Sequence, residues 1–244
     1  MNLKDNRLRA MKGFFYSDLI DSKSLYIIGG CIFFGYMIIT MATSLIMASL
    51  GLQSSNSGGT LTNGFGTTVV CMFVSGIIMA AGKQKKSAFS FPIDRLTYTI
   101  CNYIMFFVNA ALLLIMSSVT YVFEGAIGRI LSGYIENLTY INNVTISSFL
   151  IGFWISLCYV LMFTCFTYCL FMIFARFKYR ALIIFGLAAG LPFTFHVGRV
   201  ALYNILMFFV GEQSLVILIV KLIACSVLFQ FISYLPLRKM EVKA

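Results

Sequence analysis

Residues Ile146 to Ala175 read ISSFLIGFWISLCYVLMFTCFTYCLFMIFA, thirty positions without a charged side chain. A helix rises 1.5 Å per residue and the hydrocarbon core of a bilayer is about 30 Å thick, so about 20 apolar residues suffice to cross it. The stretch shows none of the apolar/polar alternation of a barrel strand. It therefore predicts a transmembrane α-helix, and the rest of the chain is read outward from it.

Four more runs meet the same criterion: 25–50, 61–82, 98–123 and 214–235. A sixth, 181–210, is long enough but interrupted, because Pro192 lacks a backbone donor and His196 and Arg199 follow at one-turn spacing. Composition agrees. Sixty per cent of the 244 residues are hydrophobic and 11% are charged, against about a quarter charged in soluble domains. The reading is an all-α integral membrane protein: a six-helix transmembrane domain over 25–244, preceded by an amphipathic helix over 1–24 whose face is Leu8, Met11, Phe15 and Leu19. No cleavable leader is expected, since the first apolar run is too long and lacks a small-x-small cleavage site.

Loop charges orient the bundle. Lys4, Arg7, Arg9, Lys12 and Lys23 precede the first span, and Lys83, Lys85, Lys86 and Arg95 lie between the second and third. Arg176, Lys178 and Arg180 lie between the fourth and fifth, and Arg238, Lys239 and Lys243 in the tail. With six spans all of these fall on one side, which the positive-inside rule makes the cytoplasm, with both termini there. The formal charge of +10 is thereby explained without nucleic acid. On the outer side, 53–63 reads as a Gly/Ser/Asn/Thr-rich turn and 124–145 as a longer loop able to form a short surface helix. Asn137-Leu-Thr and Asn143-Val-Thr fit the glycosylation triplet, which has meaning only in a eukaryotic secretory membrane.

Few residues carry chemistry. Asn102 and Asn109 share a stripe of the third span and suit interhelical hydrogen bonds or a polar path. Lys221 lies about 10 Å into the sixth span, from where its side chain can snorkel towards Glu212 or line a pathway. His196 and Arg199 are candidates for gating at the helix break, and Gly186 and Gly190 for close helix packing. The seven cysteines all lie in apolar segments, and even Cys165 and Cys169, one turn apart, read as packing residues rather than metal ligands. Paired carboxylates, HExxH and a Ser/His/Asp set are lacking from the spans, so catalysis by this chain is not expected.

The cytoplasmic connection 83–97 stands out. Behind its basic start, Phe89, Phe91 and Ile93 place bulky apolar groups in a wet loop, as aromatic anchors of a docking contact would. The same groups could instead rest on the membrane interface. Phe91-Pro92-Ile93-Asp94-Arg95 just before the third span, together with the amphipathic N-terminal helix and six spans, resembles the permease subunits of ABC-2-type ATP-binding-cassette exporters. Family members often show Leu-Pro-Ile-Ser-Arg at this place, so Asp94 departs from the pattern. The resemblance implies a broken fifth helix and a coupling element, made here of Lys85, Lys86, Phe89, Phe91, Pro92, Ile93, Asp94 and Arg95, that docks on an ATPase. The chain has no GxxxxGK[ST] phosphate loop, so ATP and Mg²⁺ would sit on two separate ATPase subunits, beside a second permease copy or a paralogue. The small size resembles exporters of hydrophobic or amphipathic cargo: a peptide toxin of the phenol-soluble-modulin type, a bacteriocin (as for lantibiotic-immunity permeases) or a lipophilic drug, moved out across a bacterial cell membrane. The alternative reading is a stand-alone channel, secondary carrier, sensor or scaffold without an ATPase.

Charge asymmetry makes the first prediction. Green fluorescent protein fused after Ala244 fluoresces, and alkaline phosphatase fused after Ser57 is active, because each reporter then lies in the compartment where it folds. An active phosphatase fused at the C-terminus would overturn the orientation.

Overall fold

The computed structural model describes residues 11–13, 16–17, 20, 22–49, 54–57, 68–77, 94–134, 138–141, 146–177, 199–200, 203–204, 207–208, 211–212 and 214–238. Its elements are α1 (Lys23–Ser49), β1 (Ser54–Ser57), α2 (Thr68–Ile77), α3 (Arg95–Ser132), β2 (Leu138–Ile141), α4 (Ile146–Phe177) and α5 (Leu215–Arg238). Four helices, α1, α3, α4 and α5, are long and apolar enough to cross a membrane. This is the architecture of an α-helical membrane protein. Most of the predicted helix over 1–24, much of the second and fifth runs, and Gly186, Gly190, Asn137 and Asn143 lie outside the described residues, although 11–13, 16–17 and 20 are helical.

The helices form where predominantly apolar residues run on without a stop signal. Inside hydrocarbon each backbone group must bond within its own segment, which a helix alone achieves. Buried hydroxyls follow the same logic: Thr99 donates to the Arg95 carbonyl, Thr120 to Met116 and Thr167 to Phe163, all four residues back in the same helix.

α3 differs from the reading of the sequence. It contains 38 residues, about 57 Å at helical rise, and continues nine residues past the expected end at Phe123. Glu124, assigned to an outer loop, is buried in it, 3% exposed. Nothing between Glu124 and Ser132 terminates a helix; the stop comes at Gly133, whose N–H turns back to the Ile130 carbonyl at 3.2 Å. The polar segment at 54–57 is also more than a turn. β1 pairs in parallel with β2, Ser54 opposite Leu138 and Ser57 opposite Ile141, so the otherwise helical structure carries a small two-stranded sheet.

The chain divides into two compact units. One comprises Met1–Ser17, Phe73–Phe106 and Leu161–Ala244. Here Thr99 meets Gln230 and Tyr103 meets Ser226, so α3 and α5 run antiparallel. Phe166 packs edge-on against Phe229, and Arg176 reaches Pro236, so α4 and α5 run parallel. The core is built from Cys101, Met105, Phe106, Cys165, Tyr168 and Met172.

The other unit comprises Asp18–Met72 and Phe107–Val160. Tyr26 meets Asn109, Gly29 faces Leu113 and Gly30 faces Met116, so α1 and α3 run parallel. Gly29 allows this approach. A methyl group on it would lie 2.9 Å from Cδ2 of Leu113, which is fully buried and has no room to yield. At Gly30 the corresponding neighbour is the terminal methyl of Met116, a flexible end that can move aside.

Gly29→Ala is accordingly expected to destabilise the protein in detergent by about 1–3 kcal/mol, the range for overpacking a tight contact, while Gly30→Ala stays within about 0.5 kcal/mol, as a change the Met116 chain end absorbs. Thermal unfolding curves of both variants check this; equal losses would show that α1 and α3 do not meet at Gly29.

Candidate functional site

The last two residues of the predicted coupling element, Asp94 and Arg95, stand at the start of α3. Tyr98 N–H donates to the Asp94 carbonyl at 2.9 Å, making Asp94 the N-cap and Arg95 the first helical residue. Asp94 is exposed and Arg95 half-buried. Ser and Asp are both strong N-caps, and a carboxylate suits the positive end of the helix dipole. Capping thus gives Asp94 a physical role at this position. Lys85, Lys86, Phe89, Phe91, Pro92 and Ile93 lie outside the described residues, as does His196.

The first turns of α3 are bonded to two other helices. Gln230 Nε2 donates to the Thr99 carbonyl at 3.0 Å. Asn102 Nδ2 donates to the Tyr168 hydroxyl on α4 at 3.1 Å. The hydroxyls of Tyr103 and Ser226 lie 2.9 Å apart. Both Asn102 and Tyr168 are buried, and the Phe106 ring packs edge-on to Tyr168 at 5.3 Å between centroids. The amides are only half satisfied, since Asn102 Oδ1 and Gln230 Oε1 lack hydrogen-bond partners. Asn109, in the other unit, accepts the Tyr26 hydroxyl at Oδ1 and leaves Nδ2 open. Of the two roles predicted for the asparagines, interhelical bonding is the one this geometry displays.

At the far end of α4, Arg176 Nη1 donates to the Pro236 carbonyl at 3.0 Å, with its guanidinium 5.6 Å from the Phe177 ring centroid. That carbonyl is among the last four of α5, which have no intrahelical donor, and a cation there also suits the negative helix end. Lys221 pairs with Glu212 and lies 4.3 Å above the centre of the Phe208 ring. Snorkelling towards the helix start is therefore the observed arrangement, and the charge stays compensated. Arg199 is exposed.

The structure thus places Arg95 and Asn102 at the start of α3 and Lys221 on α5. The sequence reading missed Tyr26, Tyr103, Tyr168, Arg176, Ser226 and Gln230. Gln230 carried a usable signal, a single amide inside the apolar run 214–235. The tyrosines and Ser226 carried none, because such residues are ordinary in membrane helices. Cys165 and Cys169 are both buried, and among the described residues no group of three or more His, Cys, Asp or Glu side chains could hold a metal.

An apolar groove of about 290 Å³ opens between α3 and α5, with Thr99 and Gln230 at its floor. The other unit has an open apolar depression of about 390 Å³ against Ile115, Val119, Phe149 and Phe153.

No family model, no curated protein and no solved structure matches the chain. The fold defines a class, helical membrane proteins with at least four apolar helices, and function must be argued from the site.

The hydrogen bond between Asn102 and Tyr168 leads to a prediction about its two ends. Tyr168→Phe leaves the Asn102 amide without its acceptor in a dry interior and is expected to cost about 1–2 kcal/mol. Adding Asn102→Leu removes the stranded amide and restores most of that stability. Unfolding in mixed micelles measures both, and a double variant as unstable as Tyr168→Phe alone would sink the explanation.

Proposed function

We propose that the chain is the permease subunit of an ATP-driven exporter of the ABC-2 type in a bacterial cell membrane. The observation that carries this reading is mechanical. The helix starting directly after the connection 83–93, which carries Phe89, Phe91 and Ile93, is tied to α4 and α5 by three hydrogen bonds, at Thr99, Asn102 and Tyr103. A push delivered at Asp94 and Arg95 would move three helices as one body, as coupling to a separate motor requires.

Helix direction supports six crossings. α1 and α3 run the same way, so a chain that crosses by α1 must return within 50–94 before α3 begins. α4 and α5 run the same way, which asks the same of 178–214. Each connection exceeds the roughly 20 residues a crossing needs. Two such returns, added to four helices, make an even count with both termini on one face. The basic residues argue for that face being cytoplasmic.

In this reading two ATPase subunits dock on Phe89, Phe91 and Ile93, with Lys85 and Lys86 at the polar rim. ATP and Mg²⁺ belong to those subunits. A second permease, a copy or a paralogue, completes the pathway. Cargo is hydrophobic or amphipathic, a peptide toxin, bacteriocin or lipophilic drug, in keeping with the near absence of charge in the spans.

Affinity purification of the tagged chain from its native host tests the proposal. A phosphate-loop ATPase should co-purify, and Phe91→Asp with Ile93→Asp should weaken its association by on the order of thirtyfold, the effect of losing a contact worth about 2 kcal/mol. Loss of association with the permease still folded supports the docking role. Folded protein with no ATPase attached, or an association indifferent to both substitutions, overturns it.

A further inference from the structure

The groove between the start of α3 and the end of α5 is walled by hydrocarbon. Leu96 and Ile100 on α3 and Val227 and Phe231 on α5 line it, and Leu96 is 56% and Phe231 65% exposed. The polar groups beneath are turned on each other: the Gln230 amide donates to the Thr99 carbonyl, and Tyr103 bonds Ser226. Gln230 Oε1 keeps an unused acceptor but is buried beneath the lining, so the surface the walls present is hydrocarbon. An aliphatic chain would fit, and in a bilayer the groove opens sideways onto such chains.

One end of the groove is different. Arg95 opens α3 next to Leu96, and Arg238 closes α5 four residues, about one turn, after the lining residue Tyr234. Because α3 and α5 are antiparallel, the two arginines mark the same end, and Lys239 follows in the chain. Asp94, the cap of α3, adds one negative charge there. Among the described residues the positive side still leads, with Arg95, Arg238 and Arg176, which reaches the Pro236 carbonyl, against Asp94. Tyr234 lines this end as well, and an aromatic ring with a hydroxyl is favoured at a membrane interface. An apolar slot ending in cationic residues complements a molecule with a hydrocarbon chain and a phosphate at its head.

We infer that this groove binds one acyl chain of an anionic phospholipid, its phosphate lying at the end where Arg95 begins α3 and Arg238 ends α5. The site requires only that the helices sit in a membrane; it stands or falls independently of any ATPase. A lipid lodged there would bridge α3 and α5 across the seam that Thr99, Tyr103, Ser226 and Gln230 already hold, so membrane composition would act on the helix that begins the coupling element.

Tryptophan quenching by brominated lipids tests it with the full chain in vesicles. Trp154 is the single tryptophan and is exposed on α4, so it reports the ordinary lipid shell. Trp154→Phe clears the background, and Phe231→Trp puts a reporter in the groove; Val227→Trp is a second reporter, one turn away. Dibrominated phosphatidylglycerol should outcompete dibrominated phosphatidylcholine at either groove reporter by about fivefold per engaged arginine, the surface value for one basic side chain, and about equally at Trp154. Arg95→Gln with Arg238→Gln should bring the groove preference down to the level seen at Trp154. Equal quenching by both lipids at the groove reporters, or a preference that survives loss of both arginines, overturns the assignment.

Discussion

Hydrocarbon offers no hydrogen bonds, and that constraint shapes every contact seen in this chain. It forces the backbone into helices long enough to bond internally. It also removes the usual hydrophobic drive between helices, because a leucine gains little by leaving lipid for another leucine. Cohesion then rests on two things visible here: close approach, as at Gly29 against Leu113, and polar side chains that find one another across a seam, as Asn102 finds Tyr168 and Gln230 finds the Thr99 carbonyl. Each amide bond of this kind is worth only about 0.6 kcal/mol on average in membrane proteins. Its larger effect is to specify which helix faces which, because an unmatched amide in lipid is costly.

The amides meet that demand only in part. Asn102, Asn109 and Gln230 each keep one polar atom unsatisfied. A structure held by half-used amides has polar groups ready to take new partners if a seam slides, and such a seam is better suited to a moving part than to a static strut. Three polar contacts of the first unit cluster at the start of α3, where an exposed Asp94 caps the helix and Arg95 follows. That juxtaposition joins packing to the proposed function: the place where force would enter is also where three helices are joined.

Much of this was legible in the residues. Apolar runs located α1, α4 and α5 to within a few positions of their observed ends, since the length of a spanning helix follows from bilayer thickness. Lys221 with Glu212 was legible from helical spacing alone. The extension of α3 to Ser132 was not. Glu124 and Arg129 look like loop residues by composition, and only burial in the folded chain makes a helix through Glu124 tolerable. The strand pair at 54–57 and 138–141 was equally hidden, because parallel pairing joins segments far apart in sequence and Ser-Ser-Asn-Ser shows no alternation to betray it.

The sequence by itself determined that this is a helical membrane protein, because the spacing of its charges leaves few alternatives to lipid as solvent. Tertiary structure alone decided helix direction and partner: α1 alongside α3 in one unit, and α5 antiparallel to α3 and parallel to α4 in the other. The reason is physical. A hydropathy pattern measures what each residue would rather be dissolved in, and nearly every face of these helices gives the same answer. The choice of neighbour falls to a few polar and small side chains whose matches are set by distance in space, and that distance is written nowhere in the order of the chain.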